Sequence, residues 1–166
     1  MATSAQPVVD QKRELLRHAL ATVAYRGAKA LRDAPSEFAD FKTDDGGRTP
    51  AKILAHMGDL MDWALSIAQG NQKWNDSVPL AWNDEVKRFR AALKAFDEYL
   101  ASEQPLHADT EALFQGPIAD ALTHIGQLAM LRRIAGCKMK GENYYRAEIV
   151  VGRVGAEQAQ PKKEFD

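Results

Sequence analysis

Cysteine is nearly absent from this chain. A single one, Cys137, among 166 residues excludes an internal disulfide and a thiolate metal cluster. One lone thiol fits a reducing compartment, so a cytoplasmic protein is expected. Long apolar runs are also missing: no stretch reaches the roughly 18 residues that a membrane span needs. The opening residues, MATSAQPVVDQKRE, have no apolar core of the kind an export signal carries, and none is expected. Neither sign of charge is in excess. With 22 basic and 23 acidic residues and a net charge of −1, nothing draws the chain toward nucleic acid or an anionic membrane. Arg132-Arg133 and Lys162-Lys163 are too short to make basic patches. There is no glycine-rich phosphate loop and no serine nucleophile elbow. Internal repeats and low-complexity segments are absent as well.

What remains is ordinary in bulk and patterned in detail. Hydrophobic residues make up 45% and charged residues 27% of the chain, as in a soluble globular domain that can bury a real core. One domain over residues 1–155, followed by a mobile polar tail over 156–166, is expected. Leu15, Leu16, Ala19, Leu20 and Val23 recur at helical spacing and predict a helix over residues 8–31. Thr49-Pro50 reads as an N-cap followed by a proline at the first helical position. A second helix then runs to residue 69, where Gly70-Asn71 stops it; Ile53, Met57, Leu60, Ala64 and Ile67 form its apolar face. Val86, Phe89, Leu93, Phe96 and Leu100 trace a narrow seam along a third helix, 83–101, with a solvated charged back. A fourth begins near Thr110, is interrupted at Gly116-Pro117 and continues to residue 135, with Gly136 as its C-cap. Its apolar residues go all the way round, which predicts a central position. The expected architecture is all-α: an antiparallel four-helix bundle with an irregular C-terminal strap over GENYYRAEIVVGRVG.

Two polar residues interrupt the apolar fourth helix. Asp120 is the only charge between Ala112 and Leu131, and His124 follows one turn later. At 100° per residue Gln127 and Leu131 each fall about 20° from Asp120, and His124 about 40° from it. The opposite face carries Ile118, Leu122, Ile125 and Ala129, so both faces read as buried. A buried carboxylate requires a cation, a set of hydrogen bonds or a metal ion. In the second helix His56 sits at the edge of the apolar face, with Trp63 two turns above it. If these two helices face each other, His56, Asp120 and His124 meet across the core, where bundles build metal sites. Two imidazoles and a carboxylate suit a divalent transition metal and leave coordination positions open. The plainer alternatives are a bond from Asp120 to Arg132 or Lys52, a favourable charge in the first turn of a helix, and a satisfied core histidine at position 124.

TPAKILAHMGDLMDWAL in the second helix, DALTHIGQLAMLRR in the fourth and the following GENYYRAEI together resemble the DinB/YfiT-like family of bacterial four-helix metal-binding proteins. The resemblance covers about residues 8–150. It implies that His56 is the first metal ligand and His124 the last, with Asp120 standing where the family's pattern has its middle histidine. It implies a divalent cation of the Zn, Ni, Mn or Fe type, and the carboxylate changes which of these is preferred. It also implies a metal-dependent enzyme, a transferase or isomerase acting with a low-molecular-weight thiol, or a hydrolase, on a small-molecule substrate. The alternative is a non-catalytic, stress-related protein that binds metal or a small ligand. A homodimer is implied too; Trp74 and Trp82, which read as exposed aromatics near the third helix, are the candidates for its interface.

Further residues have a place near such a site. Asp59 can bond the second nitrogen of a ligand histidine, or be a solvated helix residue. Gln127 can orient Asp120 or touch ligand, or simply pack. Trp63 can wall the site or belong to the core. Tyr144 and Tyr145 can close over the cavity with a phenol as donor or acid, or anchor the strap. Glu142 is an extra carboxylate near the mouth. No catalytic residue is identified. His18 and His107 read as surface residues, and Cys137 as a small hydrophobe.

Overall fold

In the computed structural model, residues 10–166 are described. Helix α1 spans Gln11–Leu31, α2 Pro50–Ala68 and α3 Trp82–Ala101. A short α4, Thr110–Leu113, runs through a π-helical turn, Phe114–Ile118, into α5, Ala119–Ile134. The other regular pieces are 3-10 turns at Ser36–Asp40 and Tyr144–Arg146 and two-residue strands β1, Gly141–Glu142, and β2, Glu164–Phe165, which pair antiparallel. The protein is thus mostly helical. Val8 and Val9, which the sequence reading assigned to the first helix, lie outside the described residues.

The helix ends follow local chemistry. The Asp10 carboxylate accepts the N–H groups of Lys12 and Arg13 at 3.0 and 3.2 Å, satisfying two free donors at the start of α1. Thr49 does the same for Lys52 at 3.3 Å, and Pro50 occupies the first turn of α2, where its missing N–H costs nothing. Gly70 ends α2 and Gly136 follows α5, both at positive φ, 76° and 78°, where glycine has no Cβ to clash. At Pro117 the chain widens into a π turn instead of breaking. The proline cannot donate to the carbonyl one turn back and its ring would crowd that carbonyl; the wider turn relieves both.

Packing forms a circuit. Helix α2 lies against α3 and α5, and α1 also lies against α3 and α5. The core inside it includes Leu20, Leu54, Met57, Met61, Phe89, Leu93, Phe96 and Leu128, all fully buried. The third-helix seam is buried as its spacing predicts, with Val86 half-buried. Its charged back is not wholly solvated: Glu85 and Asp97 are buried, Asp97 against Arg17 at 3.0 Å. Leu15, assigned to the apolar face of the first helix, is 70% exposed.

Helix α5 corrects a larger expectation. It is not enclosed on all sides. Ala121, His124, Ile125, Leu128 and Arg132 are buried, whereas Met130 and Ile134 are each more than half exposed. An apolar residue on every face does not by itself supply a neighbour for every face. Lys29 bonds Glu164 at 2.7 Å, and Asn143 donates its N–H to the Lys163 carbonyl at 2.9 Å, so the chain end is docked beside β1.

Candidate metal centre

Three donor groups come together where α2 meets α5. His56, Asp120 and His124 each present a ligand atom, all within 4.8 Å of one another. His56 Nε2 lies 3.5 Å from Asp120 Oδ2, and His124 Nε2 lies 3.4 Å from Asp120 Oδ1. The imidazoles stand nearly perpendicular, with centroids 4.8 Å apart. Helix periodicity explains the pair on α5: residues four apart share a face. His56 joins from the edge of the α2 face, whose centre is filled by Met57 and Leu60.

Both nitrogen–oxygen distances exceed the usual N–H···O range of about 2.7–3.2 Å, and the three groups lie close enough together that they could hold a metal ion. Burial also suits an open site. The His124 side chain is 10% exposed and that of His56 20%, whereas Asp120 is 45% exposed. Asp120 is therefore not the interior carboxylate expected from the sequence; it sits at the solvent edge of the trio, near the start of α5. It bonds neither Arg132 nor Lys52. Arg132 turns away and donates to the carbonyls of Ala30, Arg32 and Cys137.

The surroundings of His56 favour its neutral form. Burial lowers the pKa of His56 below its ordinary value, and the neighbouring His124 and Arg48 lower it further, against the opposing pull of Asp120. A neutral imidazole is the form that binds a metal. His124 Nδ1 lies 2.7 Å from Gln127 Oε1. With that acceptor on Nδ1, Nε2 is the ring nitrogen that faces Asp120. Gln127 thus orients a histidine, not the Asp120 carboxylate.

The other residues singled out in the sequence divide. Trp63 stands one aromatic contact away: it meets Trp74 edge to face at 5.7 Å, and Trp74 meets His56 at 5.5 Å. Asp59 does not touch a ligand histidine. It is buried and accepts the Ser77 N–H at 2.9 Å, the Ser77 hydroxyl at 2.6 Å and the Arg88 guanidinium. Glu142 is buried away from the trio, bonded by the Tyr25 hydroxyl at 2.6 Å and Lys29 at 2.9 Å. Burial, then the Glu142 carboxylate, push the Tyr25 phenol above its ordinary pKa. Tyr144 packs edge to face on Tyr25 and under Arg26, anchoring the strap, and Tyr145 is 98% exposed. Neither tyrosine closes over the centre. Trp82, expected on the surface, is buried against Phe38.

Trp74 and Arg48 are the neighbours that the sequence reading did not assign to the centre. Both lie in loops beside α2, where no periodicity reports position. No family model, curated protein or solved structure matches this chain. Among the described residues, no helix is long and apolar enough to cross a membrane.

Proposed function

We propose that this protein binds a divalent transition metal through His56, Asp120 and His124, within an antiparallel four-helix bundle of the DinB/YfiT-like kind. The convergence of two Nε2 atoms on one carboxylate at 3.4 and 3.5 Å supports the reading most directly. The circuit of helix contacts, α1 to α3 to α2 to α5 and back to α1, agrees with a bundle. Asp120 gives the site one negative charge, and the two histidines contribute neutral donors. Zn, Ni, Mn and Fe all accept such a set.

The use of the site is proposed to be metal-dependent group transfer or isomerisation with a low-molecular-weight thiol. A bound divalent cation supplies Lewis acidity that lowers the pKa of a coordinated thiol or water. The chain's own part is to hold that position open. Asp120, half-exposed, leaves the side facing solvent free for a small molecule, while Gln127 fixes the ring of His124. The cytoplasm is the proposed compartment.

Thermal denaturation with Zn, Ni or Mn tests binding. At about 100 times the dissociation constant a native-state ligand adds about 2.7 kcal/mol, a rise in Tm of about 5–10 °C at this chain length. No shift with any of the three ions refutes the metal reading. A scan of small thiols against model electrophiles then tests catalysis. Turnover above a His124→Ala control supports an enzyme, and its absence in a metal-loaded protein supports the non-catalytic, ligand-binding alternative.

A further inference from the structure

The loop between α2 and α3 is held with unusual care for a connection whose most prominent side chain remains exposed. At one end the Ser66 hydroxyl accepts the Lys73 N–H at 3.0 Å. At the other, Asp59 takes both donors of Ser77, and Glu85 accepts the Leu80 N–H at 2.8 Å. Arg88 ties these two carboxylates together. It reaches Glu85 at 2.8 Å, bonds Asp59, and donates to the Ala55 carbonyl at 3.1 Å. Its guanidinium lies directly on Gly58, where a Cβ would stand 2.7 Å from Nη1. Only glycine at position 58 lets the arginine lie so close to α2.

Trp74 sits between these anchors. Its ring meets His56 at 5.5 Å and Trp63 at 5.7 Å, both edge to face. It nevertheless remains 46% exposed, so its burial repays little of the ordering cost of the loop. A rigidly held, half-exposed indole beside an open metal position is a surface suited to a planar group.

We infer that Trp74 is the docking wall of the metal centre, and that the site takes a small molecule in which a planar ring is joined to a metal-binding oxygen donor. This rests on the metal reading above. The donor faces the metal position, and the ring lies against Trp74. Asp59, Glu85 and Arg88 are positioning residues: they hold the loop, and through it the indole.

The test uses the full chain loaded with cobalt(II), whose visible absorption reports on coordination. Acetohydroxamate and benzohydroxamate carry the same metal-binding group and differ in the ring. Benzohydroxamate is expected to bind about threefold to tenfold tighter, the range of a good aromatic contact. Trp74→Ala should retain the cobalt band and lose that preference, and Trp74→Phe should keep most of it. A preference that survives Trp74→Ala, or that is missing from the parent chain, overturns the inference while the metal reading stands. Failure to develop any cobalt band overturns both.

Discussion

His124 is turned so that Nδ1 meets Gln127 Oε1 at 2.7 Å while Nε2 faces Asp120 Oδ1 at 3.4 Å. The two ring nitrogens therefore meet different partners, Nδ1 the Gln127 amide and Nε2 the Asp120 carboxylate. The partner comes from the same helix, three residues on, so the arrangement does not depend on how α5 packs.

Replacing Gln127 tests that division. Gln127→Leu removes the acceptor and frees the ring to rotate. Loss of such a partner lowers metal affinity about 10- to 100-fold. Gln127 is exposed, so thermal stability without metal should change by less than about 0.5 kcal/mol. Calorimetric titration with Zn alongside a melting curve reads both quantities.

Asp59 makes the opposite prediction. Its substitution should cost stability first and binding only indirectly. Asp59→Ala leaves the Arg88 guanidinium and the Ser77 N–H without their shared acceptor. Breaking a buried pair of this kind costs about 3 kcal/mol. Denaturant unfolding measures the loss, and the metal stoichiometry of the remaining folded protein should be unchanged.

The docked chain end should respond to acid. The hydrogen bond from Lys29 holds the Glu164 carboxyl below its usual 4.5. Burial alone would lower the pKa of Lys29, but bonds to Glu164 and Glu142 outweigh it and keep the ammonium charged. Because the folded value of Glu164 is depressed, its contribution is fully present above the ordinary carboxylate range. It is lost as pH falls through the folded value. The backbone amide resonance of Asn143, whose N–H meets the Lys163 carbonyl at 2.9 Å, should shift in that acidic range. Glu164→Gln should abolish this titration. Gly141→Ala should release β2 even at neutral pH, since a Cβ there would stand 2.5 Å from the Phe165 ring.

The extent to which the sequence foretold this arrangement follows from which signals are periodic. The helix starts at Thr49-Pro50 and the stop at Gly70 were legible because caps are local chemistry. His56, Asp120 and His124 could be brought together from helical spacing and one assumption, that α2 meets α5. Burial was the less legible quantity. Met130 and Ile134 are apolar and exposed, and Asp120 lies half in water, because a helix's composition does not say how many neighbours surround it. Loops were least legible. Trp74 reaches His56 through bonds from Asp59 and Ser66 that no spacing rule encodes. Glu142 and Tyr144 were drawn toward the centre by their chemistry alone, whereas the chain carries them to Lys29 and Tyr25.

The central claim is that His56, Asp120 and His124 form one metal site. Elemental analysis after dialysis against Zn, on protein purified without a metal-affinity column, tests it most directly. The account predicts about one equivalent bound to the parent chain and less than about a tenth in a folded His56→Ala, His124→Ala double variant, since two of three ligands are gone. Less than a tenth of an equivalent in the parent chain, or an undiminished equivalent in the double variant, would contradict it.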